Sequence, residues 1–284
     1  MKLTETMELT KQERSHNIVL TIILGVALVF AAQIISILPT YGIENAGLKE
    51  VAILYLNIIV IAVIILFCRF FENRSLQSLG FKRKQIGKNL LFGALSGTAF
   101  IAVVFLVNLL NGAITVTFSL STLSWTYIIS AFVGYFFQGI MEELVCRGFI
   151  MNTIAAKANV PIAVLGNSLI FTLLHGLNDS ISILAIVNLF LASLVLSLIF
   201  YLTDNLFFVG GMHAIWNFML GPVFGVPVSG NSFYSSLFQT TLLPDRQGFN
   251  GGNFGFEGGL GLTIVAVLLL IGLIFRIKQS QQKN

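Results

Sequence analysis

Apolar residues in this chain run in long unbroken blocks, each close to the length of a helix that crosses a bilayer. The blocks fall at Ile18 to Leu38, Val51 to Phe67, Asn89 to Leu110, Trp125 to Ala155, Pro161 to Leu177, Ile181 to Leu202, Leu206 to Gly225 and Leu260 to Ile277. Length alone predicts about eight spans. The fourth is too long for one simple crossing, so it must tilt, break or run past the bilayer surface. The stretches between blocks divide the chain into a cytoplasmic leader 1–17, N-terminal helices 18–124 with a basic segment 69–88, a helical core 125–225, a Gly-rich outer loop 226–259, and a last helix with its tail 260–284. The expected fold class is all-α, a polytopic transmembrane helix bundle.

Composition excludes the main alternative. With 56% hydrophobic and 10% charged residues, the 284-residue chain cannot cover a soluble domain with a charged skin. Lys and Arg set the orientation, because basic residues are retained on the cytoplasmic side. With the N-terminus inside, the inner segments hold Lys2, Lys11, Arg14, Arg69, Arg74, Lys82, Arg83, Lys84, Lys88, Lys157, Arg276, Lys278 and Lys283, and the outer ones hold only Lys49 and Arg246. An integral plasma-membrane protein with both termini cytoplasmic is expected. The net charge of +4 then reports topology and not a nucleic-acid partner.

The leader mixes acids and bases before a full-length span and reads as an uncleaved signal anchor, with His16 solvated. The basic segment interleaves Phe and Leu and is expected on the inner leaflet, as a topology anchor in preference to a lipid-recognition site. Cys68 and Cys146 lie in or beside apolar runs and read as packing residues without a disulfide framework. No haem, zinc-knuckle or P-loop spacing is present in the sequence. The Gly-rich loop is either a lid over an outward cavity or a plain connection.

Ionisable residues inside such blocks are costly and mark function. Glu143 and Arg147 are four apart and share a helical face, so they can pair, whereas Glu142 points elsewhere and is suited to taking and returning a proton. A purely structural ion-pair network between helices is the competing reading. Two histidines, His175 and His213, lie in other apolar blocks; Phe171 shares a face with His175, and Asn217 with His213. At about 1.5 Å per residue, Glu142, His175 and His213 all fall in the inner half of the bilayer or near its middle, where they can converge. A proton-coupled transporter using these groups as a relay is a further reading, weakened by the absence of a visible internal repeat.

Glu-Glu-x-x-x-Arg, Phe-x-x-x-His and His-x-x-x-Asn, in that order on separate apolar helices, resemble the CPBP family. That family includes the type II CAAX prenyl endopeptidases and the bacterial Abi group linked to bacteriocin maturation and self-immunity. Arg147-Gly148, Leu79-Gly80-Phe81 and GGNFGFEGG add to the likeness, and Cys146 departs from it where the family commonly carries an aromatic or aliphatic residue. The resemblance implies an intramembrane endopeptidase that hydrolyses a peptide bond of a membrane-associated substrate, prenylated or a peptide precursor. It implies Glu142 as general base, His175 holding the water, and His213 with Asn217 stabilising the oxyanion. Glu143 and Arg147 would shape the site and Phe171 pack beneath it.

Glu142, His175 and His213 are also zinc-ligand types, but the chain lacks a His-Glu-x-x-His helix. The metal-free reading is therefore preferred and no cofactor is expected, with zinc kept open. The expected partners are a membrane peptide or lipidated protein and the bilayer. The alternative function is a non-catalytic membrane binding protein for bacteriocin self-immunity.

Overall fold

The computed structural model describes residues 1–13, 17–118 and 123–282; Arg14, His16 and Lys283 lie outside them. Helices α1 (Glu5–Glu13), α2 (Ile18–Ile37), α3 (Ala46–Phe70) and α4 (Ile86–Leu110) precede a short strand β1 (Ile114–Phe118). The core follows as α5 (Trp125–Glu143), a π-helical stretch Leu144–Met151, α6 (Asn152–Lys157), α7 (Val160–Leu174), α8 (Ile183–Thr203) and α9 (Leu206–Phe218). Strand β2 (Phe238–Leu242), a single turn α10 (Gln247–Asn250) and α11 (Leu260–Gln282) complete the chain. Polar residues at the block edges start the helices. The side chains of Asn17, Asn45, Ser124, Asn159, Ser182 and Asn205 accept from backbone N–H groups of the first turns of α2, α3, α5, α7, α8 and α9.

The chain is an integral membrane protein with an all-α bundle. Among the described residues, seven helices are long and apolar enough to cross a bilayer. The fifth expected span is the exception, because α7 has only 15 residues and stops at Leu174 instead of Leu177. Contacts between connections explain how it still joins the two ends of the bundle. At one end, Thr6 bonds Asp204, and Arg74 bonds Thr153; at the other, β1 pairs antiparallel with β2, and Asn178 bonds the Ser229 carbonyl. α7 starts at the first, basic end and finishes sunk beneath the second, glycine-rich end. The long fourth block stays one continuous helical run, Trp125–Lys157, with the π-helical stretch inside it. The wider turn directs the Gly148 carbonyl to the buried Arg74 guanidinium at 2.8 Å, and Gly148 packs on the Leu79 backbone.

In the leader, α1 docks under the bundle with Thr6, Met7 and Thr10 buried, because its hydroxyls meet Asp204, Asn152, Arg74 and the Ser78 carbonyl. Lys82 holds both Glu5 and Asp204 at 2.8 Å. The hydrogen bond and charge of Lys82 lower the Glu5 pKa. Burial works against the Lys82 charge, but its bonds to Asp204 and Glu5 outweigh it and raise the Lys82 pKa. The Glu5 contribution is therefore lost as pH falls through its depressed value, and that of Lys82 as pH rises through its raised one. Hydrogen-exchange protection of α1, the observed rate corrected for the intrinsic pH dependence of amide exchange, is expected to be greatest between those limits and to fall on both sides. A protection factor that stays constant across an acid and an alkaline titration would show that the triad does not hold α1.

Helix α9 is the axis of the core and is buried nearly all round. Glycines let its neighbours approach to backbone contact: a Cβ on Gly97 of α4 would lie 2.3 Å from the Met212 carbonyl oxygen, and one on Gly139 of α5 2.6 Å from the Ala214 nitrogen. Gly97→Ala is expected to cost about 1–3 kcal/mol by forcing α4 and α9 apart. Gly272→Ala, whose Cβ meets open space, should be neutral. Thermal unfolding of both variants in detergent compares them; equal midpoints would refute the close-packing argument.

Candidate active site

Three helices deliver the ionisable residues. Glu142 and Glu143 end the regular part of α5, His175 caps α7 directly after its last residue, and His213 lies in the middle of α9. The cavity between them, about 60 Å³, is large enough for a few water molecules. Glu142, Phe171, His175, His213 and Asn217 all line it.

Glu142 presents one engaged and one free oxygen. Oε1 accepts from Gln138 Nε2 at 3.0 Å. Oε2 is buried and has no hydrogen-bond partner among the described residues, and it faces His213 Nε2 at 3.6 Å and His175 Nε2 at 3.8 Å. Both separations are too long for a direct hydrogen bond and suit a bridging water. The other nitrogen of each ring is held. His175 Nδ1 lies 2.9 Å from the Phe171 carbonyl oxygen, which can only accept, so Nδ1 carries the proton and neutral His175 directs a lone pair from Nε2 into the cavity. His213 Nδ1 lies 2.7 Å from Glu143 Oε1.

Behind this first layer, Arg147 is fully buried and donates to Glu143 Oε1 at 2.8 Å, to Ser193 Oγ at 2.8 Å and to the Ser193 carbonyl at 3.0 Å. Its guanidinium lies over the Phe171 ring, 5.1 Å from the centroid, and that ring lies 4.4 Å from the imidazole of His175. Arg147, Glu143 and Phe171 thus hold both imidazoles from behind. The carboxamide of Asn217 makes no hydrogen bond among the described residues and opens on the cavity.

The cavity wall includes Ser229, Asn231 and Glu257, so the site lies toward the glycine-rich end and not toward the Lys157 connection. The early stop of α7 brings His175 to that end. The glycine-rich segment is also no plain connection: Phe254, Phe256 and Glu257 are buried, and Glu257 accepts from Trp216 Nε1 at 3.0 Å, Ser229 Oγ at 2.7 Å and the Ser229 backbone N–H at 2.6 Å. It roofs the cavity. Gln138, Ser193 and Glu257 were not singled out from the sequence. Gln138 was legible as the residue one turn before Glu142 on its face, and Glu257 as a lone acid in an apolar glycine run. Ser193 had no signal.

A second cleft, about 260 Å³, reaches Glu142 and His175 from the side, between Val29, Phe30 and Gln33 of α2 and Leu174 of α7. Cys146 lines it and is buried. The imidazoles and carboxylate are zinc-ligand types. Among the described residues no group of three or more His, Cys, Asp and Glu side chains is placed to hold a metal.

The fold and site define a polytopic membrane protein with an acid and histidine centre enclosed in its bundle. Residues 123–219, which contain every one of those groups, match the family described as type II CAAX prenyl endopeptidase Rce1-like. No curated protein matches the chain.

Proposed function

We propose that this protein is an intramembrane endopeptidase that cleaves a peptide bond of a membrane-associated substrate with a glutamate-activated water. The observation that carries the reading is the buried Oε2 of Glu142, without a hydrogen-bond partner among the described residues, which faces two imidazole nitrogens at 3.6 and 3.8 Å on the wall of the cavity of about 60 Å³.

In this mechanism a water bridges Glu142 Oε2 and the Nε2 lone pair of His175. Glu142 takes one proton as the water oxygen attacks the scissile carbonyl, and later returns it to the leaving amine, so the carboxylate is regenerated. The developing oxyanion is met by Asn217 Nδ2–H and by His213 Nε2–H. With Nδ1–H donated to Glu143, His213 has an Nε2–H only as imidazolium. The matched family is described as a prenyl endopeptidase, and the side cleft, with Val29, Phe30, Val145 and Leu174 on its walls, suits a hydrocarbon tail or an apolar peptide side chain. The Lys and Arg distribution supports cytoplasmic termini.

The test is hydrolysis of prenylated and unmodified membrane-peptide panels by the purified protein in lipid, alongside Glu142→Ala and with and without a chelator. Cleavage by the wild type alone, indifferent to chelation, is expected. Cleavage retained by Glu142→Ala would sink the proposal, and chelator-sensitive cleavage restored by zinc would replace the metal-free mechanism.

A further inference from the structure

The basic end of the bundle holds a second feature that the catalytic reading does not use. A cleft of about 760 Å³ opens between the end of α3, the segment after it, and docked α1. Its polar side carries Arg69, Lys82, Arg83 and Lys84 against a single lining carboxylate, Glu5. Lys82 is occupied by its bonds to Glu5 and Asp204. Arg69, Arg83 and Lys84 are exposed, and their charged groups have no ion pair or hydrogen bond among the described residues. The opposite side is apolar: Ile65, one turn before Arg69 on the membrane-spanning α3, with Leu76 and Phe81.

Unpaired cations beside hydrocarbon in one concave site match a ligand with an anionic head and an apolar body. We propose that this cleft binds an anionic phospholipid, with its phosphate on Arg69, Arg83 and Lys84 and the upper part of an acyl chain on Ile65, Leu76 and Phe81. A topology anchor needs only the count of cations near the membrane. It needs neither a cleft nor an apolar wall. Inorganic phosphate shares the charge but leaves that wall without a partner, so the lipid is the occupant the geometry favours. The site stands or falls independently of peptide hydrolysis.

The experiment is native mass spectrometry and thermal shift on the full-length protein in detergent, titrated with dioleoylphosphatidylglycerol, dioleoylphosphatidylcholine or inorganic phosphate. One saturable phosphatidylglycerol per chain is expected, preferred at least about tenfold over phosphatidylcholine. Each cation near the lipid surface is worth about fivefold, so Arg69→Gln/Arg83→Gln/Lys84→Gln should weaken binding about a hundredfold. Arg276→Gln/Lys278→Gln, on the last turns of α11, should leave binding unchanged. The single change Arg83→Gln, expected to cost about fivefold, keeps the test decisive if the triple variant folds poorly. Equal binding by the Arg83 and triple variants and wild type would overturn the proposal, as would an equal loss in the α11 variant. Full displacement of the lipid by inorganic phosphate would assign the site to a soluble anion instead.

Discussion

Glutamine in place of Glu142 is expected to lower peptide hydrolysis by about 10²–10⁴-fold, the usual worth of a positioned general base, while leaving the fold intact. The substitution is nearly isosteric. Gln138 Nε2 can still donate to an oxygen at the Oε1 position, 3.0 Å away, so the side chain keeps its orientation. What disappears is the free Oε2 with its lone pairs facing the two imidazoles. An amide placed there offers an N–H to the water and cannot take its proton. The loss should therefore fall on kcat with KM little changed, because substrate contacts are untouched. Single-turnover cleavage of a fluorescent peptide by wild type and Glu142→Gln, with unfolding midpoints measured on the same samples, separates the two effects. A variant that unfolds earlier but cleaves at the wild-type rate per folded molecule would make Glu142 a structural residue.

Arg147→Met is expected to destabilise the protein by about 3–5 kcal/mol, the range for removing one partner of a buried ion pair. Arg147 and Glu143 are both fully buried, and the pair is closed at 2.8 Å. Met roughly fills the space of the side chain stem, so the dominant loss is electrostatic: Glu143 keeps only His213, and Ser193 loses both of its charged bonds. Adding Glu143→Gln should recover part of the stability, since the uncompensated charge goes with it. Thermal unfolding of the single and double variants in detergent makes the comparison. A single-variant loss below about 1 kcal/mol would place the pair among interactions that shape the site without holding the bundle.

The likeness that pointed to this chemistry rested on short patterns whose spacing had a physical meaning. Four-residue spacing put Glu143 with Arg147, Phe171 with His175, and His213 with Asn217, and the first two pairs are in contact in the structure. Leu79-Gly80-Phe81 had no such reading in the sequence. In the structure Leu79 packs behind Gly148 on the wide turn, and the Gly80 carbonyl accepts from the first N–H of α9. Its place depends on two helices distant in sequence, so no local pattern could announce it. The same holds for Ser193, which meets Arg147 from a helix 46 residues away.

The amino-acid sequence by itself determined the class, the number of membrane-crossing elements to within the short α7, and the residues able to carry charge inside the bundle, because block length and the cost of buried ions are local properties. Tertiary structure alone decided the rest. Where α7 stops, how the wide turn after Glu143 aims its carbonyls, and which oxygen of Glu142 is left free all depend on partners from other helices. So does the roof over the cavity: Glu257 is held there by Trp216 and Ser229, and the energy that keeps an acid in that place comes from bonds that exist only once the bundle has closed.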